Sequence, residues 1–168
     1  MPNQADLKRS NDAFQSAFTQ GGLPMPPARK LAIVTCMDAR LHPEKFLGLA
    51  IGDAHVIRNA GGRVSDDALR SLVISQRLLG TQEVVVIHHT DCGMETFENQ
   101  DLVKVIERDL GADAATTVQG RDFLPFKGME QSVRNDIATV KASPLIPKDI
   151  PVYGYVYDVK TGGLIKVD

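Results

Sequence analysis

Two runs of apolar, β-branched residues constrain the fold of this 168-residue chain more than any other feature. They cover residues 31–36 and 83–88, and neither shows the alternation of polar and apolar residues that a half-exposed strand requires. Strands of this kind lie inside parallel sheets, because helices cover both faces of such sheets. A helical stripe that begins after Ser65 and ends at Gly80 precedes the second run. The pattern therefore predicts a βαβ unit, in which a helix crosses from one parallel strand to the next.

The remaining patterns predict a single α/β domain over residues 1–168, with a mostly parallel central sheet flanked by helices. Residues 1–28 are predicted to form an N-terminal arm and linker, since a helical pattern over residues 4–19 is followed by paired glycines and three prolines. Residues 29–168 are predicted to form the catalytic core. Its other predicted elements are a strand at residues 54–59, helical pieces within 94–134, a helix at 129–141, and a C-terminal β-hairpin formed by 152–157 and 164–167.

Composition and charge exclude several classes of function. With 43% hydrophobic and 24% charged residues, the chain can bury a core of ordinary size. Its formal net charge of −2 leaves no basic stripe for a phosphate backbone, so nucleic acid is not an expected partner. No apolar run is long enough to cross a membrane, and the first residues do not resemble a secretory signal. We therefore expect a cytoplasmic protein without a membrane partner.

Both cysteines of the chain lie in short polar motifs at predicted strand ends. Residues 36–40 read Cys-Met-Asp-Ala-Arg, and residues 89–92 read His-Thr-Asp-Cys. Because the carboxyl ends of parallel strands meet at one edge of a sheet, we expect Cys36, His89 and Cys92 to converge. Two thiolates and one imidazole suit Zn²⁺, and three protein ligands with an open fourth position are typical of a catalytic zinc site. A single buried cysteine is more often a small hydrophobic residue, but the combined motifs favour a metal site.

Asp38 and Arg40 are predicted to form a pair beside this site. They are two residues apart, so on extended backbone the guanidinium of Arg40 can hold the carboxylate of Asp38 with two hydrogen bonds. Zinc lowers the pKa of a bound water from about 15.7 toward roughly 7, which gives a hydroxide nucleophile near neutral pH. Asp38 can accept a hydrogen bond from that hydroxide, or bind the metal as a fourth ligand and close the site. A permanently closed, structural zinc in a non-catalytic dimer is the alternative interpretation.

Two further features of the sequence bear on the site. Ala60, Gly61 and Gly62 follow the predicted strand at 54–59, and they are predicted to let the substrate approach the main chain. His88 precedes His89 on the same strand, so its side chain points to the opposite face of the sheet. We therefore expect His88 to be a hydrogen-bonded core or interface residue and not a metal ligand.

The chain resembles the β-class carbonic anhydrases, whose two motifs are Cys-x-Asp-x-Arg and, further along, His-x-x-Cys. The likeness extends through residues 55–62 and 66–71, and resumes at 144–147 and in the last hairpin. The resemblance implies one Zn²⁺ per subunit on Cys36, His89 and Cys92, with Asp38 and Arg40 as a catalytic dyad. It also implies a homodimer, in which the N-terminal arm wraps the neighbouring subunit, or a dimer of such dimers.

The short members of this family, which the chain resembles most, act on three small linear substrates. They include carbonyl sulfide hydrolases and carbon disulfide hydrolases beside carbon dioxide hydratases, and the same motifs serve all three. The expected activity is the reversible hydration of CO₂ to bicarbonate, with hydrolysis of carbonyl sulfide or carbon disulfide as alternatives. The ligands do not discriminate between these substrates, because selection depends on the shape of the pocket.

Overall fold

The computed structural model describes residues 4–168 and has a five-stranded sheet at its centre. The strands, numbered in chain order, are β1 Leu31–Cys36, β2 Ala54–Asn59, β3 Glu83–His89, β4 Val152–Tyr157 and β5 Leu164–Val167. They are ordered β2-β1-β3-β4-β5, with the first four parallel and β5 antiparallel to β4. The mostly parallel sheet and the C-terminal hairpin confirm the predicted fold class. Residues 1–3 of the predicted arm lie outside the described residues.

Six α-helices accompany the sheet within residues 4–168: α1 Gln4–Ala17, α2 Pro43–Phe46, α3 Asp66–Arg77, α4 Asn99–Leu110, α5 Ala112–Thr117 and α6 Met129–Ala142. The short helix α2 was not predicted, because a single turn that begins at a proline has no readable period. Helix α4 is longer than the pieces predicted there, and a capping box between Glu98 and Asp101 marks its start. None of these helices combines the length and the apolar character needed to cross a membrane.

Helices α3 and α6 cover one face of the sheet. Alternate strand residues, among them Val34 and Val86, pack there against Leu72 of α3 and Val140 of α6, and all four are fully buried. The cap of α3 is as predicted, since the Ser65 hydroxyl accepts a hydrogen bond from the Ala68 backbone N–H at 3.3 Å. The other face carries a second apolar cluster with Ile33, Val85 and Ile87 at its centre, covered in part by α2 and the loop after it.

The register of β1 and β3 determines where the two polar motifs lie. Leu31 is paired with Glu83 and Thr35 with Ile87, so the two strands end at the same edge of the sheet. The Thr35 hydroxyl also donates to the Ile87 carbonyl at 2.9 Å, which ties the two strand ends together. Cys36 and His89 therefore emerge side by side from a rigid, buried part of the sheet.

Gly62 lies against this pair of strand ends. Its φ of 67° is in the left-handed region, and a Cβ atom there would lie 2.8 Å from both the Cys36 nitrogen and the Thr35 carbonyl carbon. These contacts are with backbone that cannot move without disturbing the sheet. Only glycine fits at this position, because both the conformation and the space exclude a side chain.

We expect Gly62→Ala to reduce the free energy of unfolding by about 2–4 kcal/mol, since it adds backbone strain to a steric clash. Urea denaturation measures this loss. Gly48→Ala is the matched control, because Gly48 has a similar φ of 62° but a Cβ atom there would meet no other atom within 4 Å. The control is expected to lose about 1 kcal/mol. Equal losses in the two variants would show that the close approach to β1 contributes nothing.

Candidate metal centre

Cys36, His89 and Cys92 converge at the carboxyl edge of the sheet. Their sulfur and nitrogen ligand atoms all lie within 4.8 Å of one another, and all three side chains are buried. Cys36 and His89 are the last residues of β1 and β3, and Cys92 is placed by the turn that follows β3. The convergence predicted from the two motifs is therefore present in the structure.

The orientation of His89 leaves one ring nitrogen free to bind a metal. Its Nδ1 donates a hydrogen bond to the Thr90 carbonyl at 2.9 Å, so the lone pair of the neutral ring lies on Nε2. Nε2 is buried and has no hydrogen-bond partner among residues 4–168. An unpartnered buried polar atom is costly, and a metal ion in the cluster would satisfy it. Two sulfurs and one imidazole nitrogen fit Zn²⁺.

The two thiols are coupled to each other. The hydrogen bond with Cys92 lowers the pKa of Cys36, and the same hydrogen bond raises the pKa of Cys92. This hydrogen bond therefore favours the thiolate at Cys36 and the proton at Cys92. Metal binding displaces such a proton, because thiolates and not thiols are the ligands.

Asp38 and Arg40 form the predicted bidentate pair next to the cluster. Arg40 Nε donates to Asp38 Oδ1 at 3.0 Å, and Nη2 donates to Oδ2 at 2.7 Å. The Arg40 backbone N–H adds a third hydrogen bond to Oδ1 at 2.8 Å. These bonds hold the pKa of the Asp38 carboxyl well below its usual range. Asp38 Oδ2 lies 3.8 Å from His89 Nε2, so the carboxylate borders the cluster.

Sequence reasoning missed two residues that support this pair. Asp91 accepts hydrogen bonds from Arg40 Nη1 on its carboxylate at 2.7 Å and from Nη2 on its carbonyl at 2.9 Å. Its φ of 57° is one that aspartate tolerates better than most residues, and its position between His89 and Cys92 was the available signal. Arg58 donates to the carbonyls of Cys36 and Asp38 at 3.0 and 2.7 Å. Nothing in the local sequence distinguishes it from an ordinary strand residue.

The turn Ala60–Gly62 lies beside the cluster, as its place after β2 requires. A Cβ atom on Gly61 would approach Met94 Cγ at 3.0 Å, and Gly62 is pressed against β1. Packing alone thus explains why glycine is present at positions 61 and 62, without any role in binding a substrate. Binding of substrate by Ala60, Gly61 and Gly62 stays a prediction.

Comparison with known proteins identifies the family. The family model for carbonic anhydrase matches residues 31–164. The chain is 43% identical over 162 residues to beta-carbonic anhydrase 1 of Mycobacterium tuberculosis, and the match covers 96% of each chain. The chain belongs to the β-carbonic anhydrase family. It is therefore an enzyme, and its relatives in this family act on small molecules.

Two other relatives extend the comparison. The crystal structure of a carbonic anhydrase from Streptococcus mutans superposes with a TM-score of 0.93 at 51% identity, covering 100% of this chain and 99% of the other. A carbon disulfide hydrolase of Acidianus sp. is 35% identical over 181 residues, covering 96% of this chain and 87% of the relative. Family members of both activities thus resemble this chain along nearly its whole length.

Proposed function

We propose that the protein catalyses the reversible hydration of CO₂ to bicarbonate with one Zn²⁺ held by Cys36, His89 and Cys92. The convergence of the three ligand atoms within 4.8 Å at a buried strand edge carries the proposal. The carbonic anhydrases at 43% and 51% identity support the choice of reaction. When bound, zinc would act as a Lewis acid that lowers the pKa of coordinated water toward about 7.

The residues around the ligands have separate roles in this proposal. The Thr90 carbonyl fixes the tautomer and the ring orientation of His89. Arg40 keeps Asp38 ionised, so the carboxylate is a pure hydrogen-bond acceptor at the edge of the cluster. An acceptor there can orient a reacting water through its O–H group. Asp91 holds Arg40 from the other side and so stabilises the dyad.

The contacts of Asp38 favour a catalytic over a permanently closed site. Both carboxylate oxygens are already engaged by Arg40, through two side-chain hydrogen bonds and one backbone hydrogen bond. Asp38 would have to give up part of this bidentate contact to become a fourth ligand, and bidentate charge-assisted contacts are among the strongest in proteins. This supports an open fourth position and counts against a non-catalytic zinc dimer.

Hydrolysis of carbon disulfide or carbonyl sulfide is the second candidate. The carbon disulfide hydrolase of Acidianus sp., at 35% identity over 96% of this chain, favours hydrolysis of carbon disulfide. CO₂ and its sulfur analogues share a linear, electrophilic central carbon, so the same ligands can serve each of them. Differences of about 1–3 kcal/mol in an apolar pocket are enough to change the preference.

A parallel assay of CO₂ hydration, carbonyl sulfide hydrolysis and carbon disulfide hydrolysis on one zinc-quantified sample tests the proposal. We expect kcat/KM for CO₂ to exceed that for either sulfur compound by about tenfold or more. The reverse order would make the protein a hydrolase of sulfur analogues on the same metal centre. Stoichiometric zinc without turnover of any of the three would instead identify a structural site.

We further propose that the protein is a homodimer, or a dimer of dimers, and that α1 of one copy packs on the other. Helix α1 buries none of its residues within the described chain. Its apolar side chains are exposed too, with 64% of the Leu7 surface and 56% of the Phe14 surface open to solvent. The sheet face opposite α3 and α6 carries an apolar groove of about 210 Å³, lined by Leu31, Leu49 and their neighbours. Exposed apolar side chains on α1 and a sheet face that is only partly covered both favour association of two copies.

The double substitution Leu7→Ser and Phe14→Ser is expected to weaken this dimer by about a hundredfold or more, since each side chain would lose its apolar burial. Light scattering over a dilution series measures the change. Gln15→Ala on the same helix is the control and should leave the mass unchanged. A dimer that is equally stable in all three proteins would show that α1 has no part in assembly.

A further inference from the structure

A buried charged network lies behind the metal centre, on the other face of β3. His88 Nε2 donates to Asp136 Oδ2 of α6 at 3.0 Å, and Arg63 donates to the same carboxylate from Nε at 2.9 Å and from Nη2 at 3.3 Å. The side chains of His88, Asp136 and Arg63 are 0%, 3% and 13% exposed. His88 is thus the hydrogen-bonded core residue that its strand position predicted.

A contribution to folding stability does not explain why this network is present. Burial raises the pKa of Asp136, but hydrogen bonds from His88 and Arg63 outweigh burial and lower it, so the carboxylate is ionised at neutral pH. A buried ion pair adds little net stability, because the desolvation of both charges offsets their attraction. A buried pair can instead fix one geometry of the groups that it contacts.

The remaining guanidinium nitrogen of Arg63, Nη1, shows which part of the chain the network holds in place. Arg63 Nη1 donates to the Leu124 carbonyl at 2.8 Å, in the segment 121–128, which has no helix or strand. Leu124 has a φ of 61°, unusual for a branched side chain. The Phe126 backbone N–H donates to the Met94 carbonyl at 3.1 Å. The segment is therefore held by a few specific contacts and not by regular secondary structure.

Phe126 links this network to the metal centre. The Arg63 guanidinium carbon lies 5.5 Å from the centre of the Phe126 ring, and the His88 ring centre lies 5.3 Å from it. Phe126 is buried, and it belongs to the same packed apolar cluster as Cys36, Leu41 and Cys92. One aromatic ring thus contacts the charged network and contributes to the apolar surroundings of the two thiols.

We propose that Phe126 is a wall beside Cys36 and Cys92 that determines which molecules reach the two thiols, and that Arg63 and Asp136 are positioning residues that hold this wall in place. The effect on substrate choice rests on the function proposed above, whereas the shielding of the thiols does not. Sulfur analogues of CO₂ are longer, so a displaced wall favours them over CO₂.

Labelling of the two thiols by 5,5′-dithiobis(2-nitrobenzoic acid) in the presence of excess Zn²⁺ tests the shielding. Arg63→Gln loses hydrogen bonds to a charged group and Phe126→Ala loses the ring itself, so each is expected to raise the labelling rate by roughly tenfold to a hundredfold. Arg134→Gln is the matched control, because Arg134 lies on α6 but pairs at the surface with Glu130. An Arg63→Gln rate equal to the Arg134→Gln rate would overturn the proposal.

The preference between two substrates is a second test, because a general loss of stability would lower both activities without changing their ratio. We expect the ratio of kcat/KM for carbonyl sulfide to kcat/KM for CO₂ to rise about tenfold in both Arg63→Gln and Phe126→Ala. Asp136→Asn keeps the shape of the network and should shift the ratio less, in the same direction. If the wild-type protein turns over neither substrate, the proposed function fails while the labelling experiment still decides the shielding. An unchanged ratio in active, folded variants would refute the role of Phe126 in specificity.

Discussion

Replacement of His89 by alanine is expected to remove the metal and, with it, all turnover above the uncatalysed rate. His89 Nε2 is a buried nitrogen that has no partner within residues 4–168, and it faces two sulfurs that alone cannot complete a zinc site. We expect zinc affinity to fall by more than about a hundredfold, since even residues that only support a ligand change it by about 10–100-fold. Turnover should fall on the order of 10⁶-fold. Zinc content after dialysis and initial hydration rates measure the two effects.

Cys92→Ser should behave as His89→Ala does, because a hydroxyl is a poor zinc ligand at neutral pH. His42→Ala is the control, since His42 is exposed and lies outside the cluster. Retention of one zinc per subunit in Cys92→Ser or His89→Ala would show that other residues hold the metal.

Asp38→Ala and Arg40→Ala are expected to lower kcat by about 10²–10⁴-fold with the zinc retained. Asp38→Ala removes the carboxylate, and Arg40→Ala removes the two side-chain hydrogen bonds that orient it at the edge of the cluster, leaving only the backbone hydrogen bond. The double variant should be scarcely slower than either single variant, because residues that act as a unit are not additive. Single-turnover rates and zinc content on the same samples measure this.

Arg108→Ala provides a matched control for the dyad. Arg108 holds Asp109 with the same two kinds of side-chain hydrogen bond, at 2.7 and 3.1 Å, but on the surface of α4. Its loss should leave both rate and zinc content unchanged. Loss of zinc in parallel with rate in Asp38→Ala would make Asp38 part of the ligand set, and full activity would remove the dyad from the mechanism.

Much of the framework follows from local sequence. The apolar runs at residues 31–36 and 83–88 form β1 and β3 as predicted, because continuous β-branched residues are stable only where both faces of a strand are covered. Ser65 caps α3, since its hydroxyl satisfies a backbone N–H that the helix cannot. The motifs at the ends of β1 and β3 then converge, because parallel neighbouring strands end at one edge.

The helices between residues 94 and 128 were less predictable. Helix α4 buries none of its residues, and the segment 121–128 has no periodic pattern at all. Periodicity arises from burial of one face, so a segment that is held by single hydrogen bonds leaves no such signal. Asp91 and Arg58 were missed for a related reason, since their roles depend on contacts with residues 51 and 20 positions away.

The sequence by itself determined the buried strands, the family motifs and the three side chains that meet at the strand edge. These features depend on hydrophobic burial and on positions within a few residues of a strand end. Only the tertiary structure decided which groups support the site: Arg63 and His88 meet Asp136 across 73 and 48 residues. Such contacts combine polar groups that no local pattern relates, because their partners are selected by the packing of α6 and the segment 121–128 against the finished sheet.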